Sequence, residues 1–144
     1  MWDLTKDKAN LDESVRGYER GFYLRNDYYN GINFAFLLNV RAANAASKEE
    51  AIADFVQAKR IREEVLKICE PLLARDELSN QEKYWVRASM AEAYTGLGDE
   101  VNAKAKLDEA NAYHPLPWMK ETTDKQLTAL RGFLASSPLH NIQA

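Results

Sequence analysis

The chain has 144 residues, 46% hydrophobic and 28% charged, enough to build one domain with a real core. Nineteen Lys and Arg against 22 Asp and Glu leave a formal charge of -3 with no block of one sign, which argues against a nucleic acid or an anionic membrane as partner. The longest apolar run, Phe34 to Leu38, is far short of the roughly 20 residues that span a bilayer, and the start MWDLTKDK has neither a basic nor an apolar signal-peptide region. With a single Cys69 no internal disulfide can form, so a reducing, cytoplasmic location is expected.

Strand alternation is absent and the periodicity is helical throughout. Leu11, Val15, Tyr18 and Phe22 stand at i, i+4, i+7 and i+11, one apolar stripe that predicts a helix over residues 10–25. The stretch NDYYNGIN (26–33) contains Asn-Gly, a hairpin signal in other settings. Here a helical run follows it, with Ile32, Phe34, Ala35, Leu37 and Leu38 on a broad apolar surface. A second helix over 28–45 is predicted, with Asn26 and Asp27 as punctuation and cap, and Gly31 permitting close helix approach. Ser47 with Glu50 has the spacing of a capping box and opens a third helix near 48, striped by Ile52, Phe55, Val56, Ile61, Val65, Ile68 and Leu72. Pro71 should kink or end it near residue 70. Ser79 with Glu82 opens a fourth helix running to Leu97, and Gly98 offers the left-handed C-cap. Asp99 caps a fifth helix that Pro115 stops; a sixth, over 118–134, carries Trp118, Leu127, Leu130 and Leu134. The tail SSPLHNIQA is expected to be loose.

Antiparallel helices with short links form either a bundle or a solenoid, and a solenoid shows internal repeats. From Tyr84 to Pro117 the chain spans 34 residues, within which Ala91, Tyr94, Ala103, Leu107, Ala110 and Pro115 trace the tetratricopeptide pattern of small and aromatic residues. Small side chains let paired helices approach; Tyr94 and Leu107 fill the space beside them. Ser14, Tyr18, Gly21 and Asn26 repeat the spacing of the pattern's second half. The expected fold is therefore an all-α tetratricopeptide solenoid of about six helices: half-repeat 10–26, degenerate repeat 27–76, well-formed repeat 84–117, capping helix 118–134, flexible tail 135–144. A chain that opens on a half-repeat and ends on a lone helix is either capped at both ends or cut from a longer solenoid; the cut is favoured, and it would leave a flank of the first helix exposed, with a homodimer through it as a risk.

The stretches YERGFYLRNDYYNGINFAFLL (18–38), EKYWVRASMAEA (82–93) and AYHPLPW (112–118) together resemble the tetratricopeptide segment of the TRAF-binding region family, found in apoptosis signal-regulating kinases and in bacterial proteins of related layout. The specific parts are Tyr29-Asn30-Gly31-Ile32-Asn33 and Tyr84-Trp85. The resemblance implies a regulatory signalling scaffold that binds partners and positions neighbouring domains. No glycine-rich phosphate loop, HRD or DFG occurs in the chain, so phosphoryl transfer does not carry over. Nor does TRAF binding, because no TRAF-contact motif is present.

A repeat stack has a concave face lined by the first helix of each pair, where peptides or helices bind. In this register Tyr29, Asn33, Phe36 and Asn39 from the second helix, with Trp85, Ser89 and Glu92 from the fourth, point toward that groove. Aromatic rings supply area and amides can read a peptide backbone; packing between repeats and local hydrogen bonds are the plainer roles for the same residues. His114 and His140 have no second ligand at metal spacing, no cofactor is implied, and Cys69 reads as a buried thiol on the third helix. No catalytic constellation emerges. The leading reading is a non-catalytic interaction scaffold; the alternative is a small-molecule sensor in which Tyr28, Tyr29 and Trp85 close over a ligand between repeats.

Overall fold

The structure, a computed structural model, describes residues 8–141. The opening MWDLTKD, the last three residues of the expected tail and the side chain of His140 lie outside the described residues. Six α-helices follow one another: α1 (Lys8–Arg25), α2 (Tyr28–Ala43), α3 (Lys48–Cys69), α4 (Asn80–Gly96), α5 (Glu100–Asn111) and α6 (Pro117–Ala135). Short 3-10 segments occupy Glu70–Ala74 and Pro138–Asn141, and no strand occurs among the described residues. The fold is an all-α, tetratricopeptide-like helical repeat.

The helix limits follow from local chemistry. Asn26 closes α1 with φ at +50°, in the left-handed region Asn tolerates, and Asp27 caps α2 by accepting the Asn30 N–H at 2.8 Å. Ser47 Oγ accepts from the Glu50 N–H at 3.2 Å. The reciprocal box forms at Ser79, whose hydroxyl takes the Glu82 N–H at 3.1 Å while the Glu82 carboxylate takes the Ser79 N–H at 2.8 Å. Pro71 tightens the end of α3 into the first 3-10 segment, and Gly98, at φ +83°, turns the chain from α4 to the Asp99 cap of α5.

The helices pack as successive antiparallel pairs, α2 on α3 and α4 on α5, with α1 against α2 and α6 against α4. One core runs through the first part of this stack, from Leu11, Val15 and Phe22 through most of α2 to Ile61, Val65 and Cys69, and reaches Val86, Met90 and Leu130. A second cluster gathers Tyr84, Ala88, Ala110 and Met119. Ala91, Ala103 and Ala110 are all buried, as close pairing of α4 with α5 requires. Gly31 sits where α1, α2 and α3 meet: a Cβ there would fall 2.7 Å from Val65 Cγ2 and 2.8 Å from Phe22 Cε1.

One expectation needs correcting. Residues 138–141 are not loose but form the second 3-10 segment, which packs against α3. Along α6, Met119, Leu127 and Leu130 are buried, while Trp118 in the first turn is 56% exposed.

Candidate functional site

Helices α2, α4 and α6 lie side by side, with α1 flanking α2, and a cavity of about 440 Å³ opens between them. Its wall combines Tyr18 of α1, Tyr28, Tyr29 and Asn33 of α2, Trp85, Ser89 and Glu92 of α4, and Trp118, Thr122 and Gln126 of α6. That volume lies within the range of small-molecule sites, and the gap between packed helices is a usual place for one.

Five of the seven residues predicted for the concave face, Tyr29, Asn33, Trp85, Ser89 and Glu92, are brought together here. The other two are not. Phe36 is 5% exposed and packs its ring against Phe133 of α6, with centroids 5.9 Å apart. Asn39 is fully buried and accepts a hydrogen bond from Arg62 of α3. The physical reason differs for the two: Phe133 of α6 covers Phe36, whereas Asn39 is turned into the contact between α2 and α3, where Arg62 takes its side-chain oxygen. Tyr28, Tyr29 and Trp85, the trio of the sensor alternative, all line the cavity.

The aromatic rings of the wall fall into two groups. The Tyr18 and Tyr29 rings stand 6.3 Å apart, Trp85 meets Tyr84 edge-on at 5.0 Å, and Trp118 approaches Trp85 at 6.0 Å. Tyr84 itself is buried behind this wall, where its hydroxyl pairs with the Thr123 hydroxyl at 2.7 Å and donates to the Met119 carbonyl at 3.3 Å. These bonds hold α6 at a fixed position on α4. Asn33 donates to the Tyr29 carbonyl at 2.8 Å, so its amide is steered by its own helix.

Glu92 is the polar feature of the wall. It is 7% exposed, the Gln126 amide hydrogen-bonds its carboxylate, and Oε2 has no hydrogen-bond partner among the described residues. Burial raises its pKa from the usual 4.5 to about 7, against the pull of the Arg62 charge and the Gln126 bond. Arg62 belongs to a different, smaller cavity of about 160 Å³ that it shares with Gly96 and Leu139. Burial likewise pushes the Tyr28 phenol up to about 12 and raises that of Tyr18, so both stay neutral near pH 7. Residues lining the main cavity include no Lys, Arg or His.

Elsewhere the chemistry is sparse. Cys69 is fully buried and its thiol is pushed up to about 12 by desolvation, the state of an unreactive core Cys. His114 lies exposed in the turn before α6, at φ +53°. Among the described residues no group of three His, Cys, Asp or Glu side chains could hold a metal ion. No described helix is long and apolar enough to cross a membrane. The outward face of α1 presents Glu13, Arg16 and Arg20, with Tyr23 and Leu24 exposed near its end.

Sequence reasoning overlooked Arg62, Gln126 and the α6 wall. Gln126 has a signal in hindsight, a polar residue beside Leu127 on the inward face of an amphipathic helix; Arg62 has none, since it sits among Lys59, Arg60 and Glu63 on what reads as a wet surface.

The fold and cavity define a tetratricopeptide-like helical module, a class that serves in protein interaction or ligand sensing. A family model described as Tetratricopeptide Repeats-Sensor, TPR-S, matches residues 1–38, which include α1 and the part of α2 that supplies Tyr28, Tyr29 and Asn33. This supports a tetratricopeptide-like family and does not single out the TRAF-binding region. No curated protein and no solved structure matches the chain significantly.

Proposed function

We propose that this chain is a non-catalytic recognition module, and that the aromatic cavity between α2, α4 and α6 takes a small ligand whose binding is read out through the helix stack. The observation that carries the reading is the cavity of about 440 Å³, whose wall joins aromatic rings from four helices to one buried carboxylate, Glu92, the arrangement of apolar lining with a few polar groups that small-ligand sites show. The match of residues 1–38 to a repeat-sensor model is in keeping with it. Because α6 is tied to α4 through Tyr84 and also touches α2, a ligand wedged among the three would stiffen their packing.

A second reading, capture of a peptide or helix in the same groove, is favoured by the rim, where Tyr29 and Trp118 are 60% and 56% exposed. The likeness to the TRAF-binding region supports the broader proposal that the module serves as a regulatory segment of a larger cytoplasmic signalling protein.

A thermal-shift screen across a metabolite panel separates the two readings. A rise in melting temperature that disappears in Trp85→Ala supports the sensor. No metabolite response, with a protein captured by the wild type and lost in Asn33→Ala/Trp85→Ala, overturns it in favour of the scaffold.

A further inference from the structure

The cavity's chemistry narrows what it would bind. Five aromatic residues, Tyr18, Tyr28, Tyr29, Trp85 and Trp118, supply π-faces or edges, and Glu92 alone among the lining side chains can carry a charge near neutral pH. No cationic side chain lines the wall, so a phosphate or carboxylate would be desolvated against a carboxylate and aromatic faces with no donor charge to meet it. An organic cation meets the opposite situation. Its charge is attracted to the ring faces and to the Glu92 carboxylate in the wall. Resting on the ligand-binding reading above, we infer that the cavity's ligand is a small organic cation, with an ammonium or guanidinium group seated against the Trp85 and Trp118 rings on the side of the wall that carries the Glu92 carboxylate.

The groups that face Glu92 are few. Arg62 of α3 acts on it by charge, and Gln126 of α6 holds it by a hydrogen bond. The phenols of Tyr18 and Tyr28 are held neutral by burial, so neither titrates alongside it near pH 7. Arg62 does not fill the ligand's place: its guanidinium donates to Asn39, and Glu92 Oε2 is left without a hydrogen bond. A cationic ligand should therefore bind more tightly as the pH rises through about 7, where Glu92 gives up its proton, whereas a neutral ligand should not respond.

The test compares three probes of one shape: phenethylamine, its neutral counterpart 2-phenylethanol and its anionic counterpart 3-phenylpropanoate. Binding to the full chain is followed by tryptophan fluorescence and titration calorimetry at about pH 6 and about pH 8. The amine is expected to bind at least about tenfold more tightly than either counterpart at the higher pH, and to lose most of that advantage at the lower. Glu92→Gln should bring the amine down to the level of the alcohol while leaving the alcohol unchanged. Trp118→Ala, at a position 56% exposed, should weaken the amine more than the alcohol. Equal, pH-independent binding of amine and alcohol overturns the inference and leaves the ligand-binding reading standing. So does failure of all three probes at millimolar concentration while a metabolite of another chemistry gives a shift lost in Trp85→Ala; absence of any small-molecule response overturns both.

Discussion

The guanidinium of Arg62, wholly buried on α3, donates to the Asn39 side-chain oxygen on α2 at 2.6 Å. Burial lowers its pKa to about 10, so the cation persists at neutral pH, and Glu92 offsets the burial only through its charge. Arg62 Nε and Asn39 Nδ2 both lack a partner among the described residues. The pair is thus a buried charge with thin compensation, a kind of contact that stabilises less than it constrains. Two variants separate the roles. Asn39→Ala leaves the cation without its acceptor and should cost about 3 kcal/mol. Arg62→Met combined with Asn39→Leu, which removes donor and acceptor together, should be neutral or stabilising, as apolar replacement of a whole buried polar pair often is. Urea melts decide: if the double variant destabilises as much as Asn39→Ala, the pair is a net stabiliser and this account fails.

Glycine positions give a matched comparison on neighbouring helices. Adding a Cβ at Gly31 meets Val65 and Phe22 within 3 Å, whereas at Gly17, on the outer face of α1, it meets nothing within 4 Å. Both changes gain up to about 1 kcal/mol of helix propensity. Only the first must also push core side chains aside, at about 1–3 kcal/mol. Gly17→Ala should therefore raise the melting temperature and Gly31→Ala should lower it. A Gly31→Ala variant as stable as wild type would mean that α1 and α3 are less tightly seated on α2 than the structure has them.

Tyr84 tests whether α6 is fastened to α4 by polar contacts or only by apolar packing. Its hydroxyl is buried between the Thr123 hydroxyl and the Met119 carbonyl. Tyr84→Phe keeps the ring and removes both bonds, so a loss of about 1–2 kcal/mol is expected. Hydrogen exchange should locate the added opening in α6, because α6 carries the partners. An increase spread evenly over the chain would mean the bond has no local role.

The helices themselves were legible in the sequence because their signals are local. Apolar spacing, the Asp27, Ser47, Ser79 and Asp99 caps and the Gly98 turn each depend on residues within four positions of one another. The cavity was legible only in part. Tyr29, Asn33, Trp85, Ser89 and Glu92 follow from knowing that α2 and α4 lie side by side. Phe36 and Asn39 were misplaced because their partners, Phe133 of α6 and Arg62 of α3, are far away in the chain, and no local residue spacing encodes those contacts. Arg62 was invisible for a related reason: the small Gly96 of α4, against which its side chain packs, makes room for it in the core.

Glu92 links stability to pH in a direction opposite to most carboxylates. Its pKa is about 7 in the folded chain and near 4.5 when exposed, so the native state holds the proton more strongly than the unfolded state does. Its contribution is then fully present below about pH 4.5 and is lost as the pH rises through about 7, a difference of about 3 kcal/mol across that window. Arg62 remains charged throughout, its pKa being about 10. The exposed carboxylates Glu77, Asp99 and Glu121 are shifted the other way, downward, by hydrogen bonds, and they mask the effect in the wild type alone. Glu92→Gln cancels them, since it changes one group and keeps its shape. Relative to this variant the wild type should be more stable at about pH 5 than at about pH 8, with the difference falling steadily between. Urea unfolding of both proteins across that range provides the measurement, and a difference that stays flat would mean that Glu92 reaches water, or a partner, that stabilises its charge.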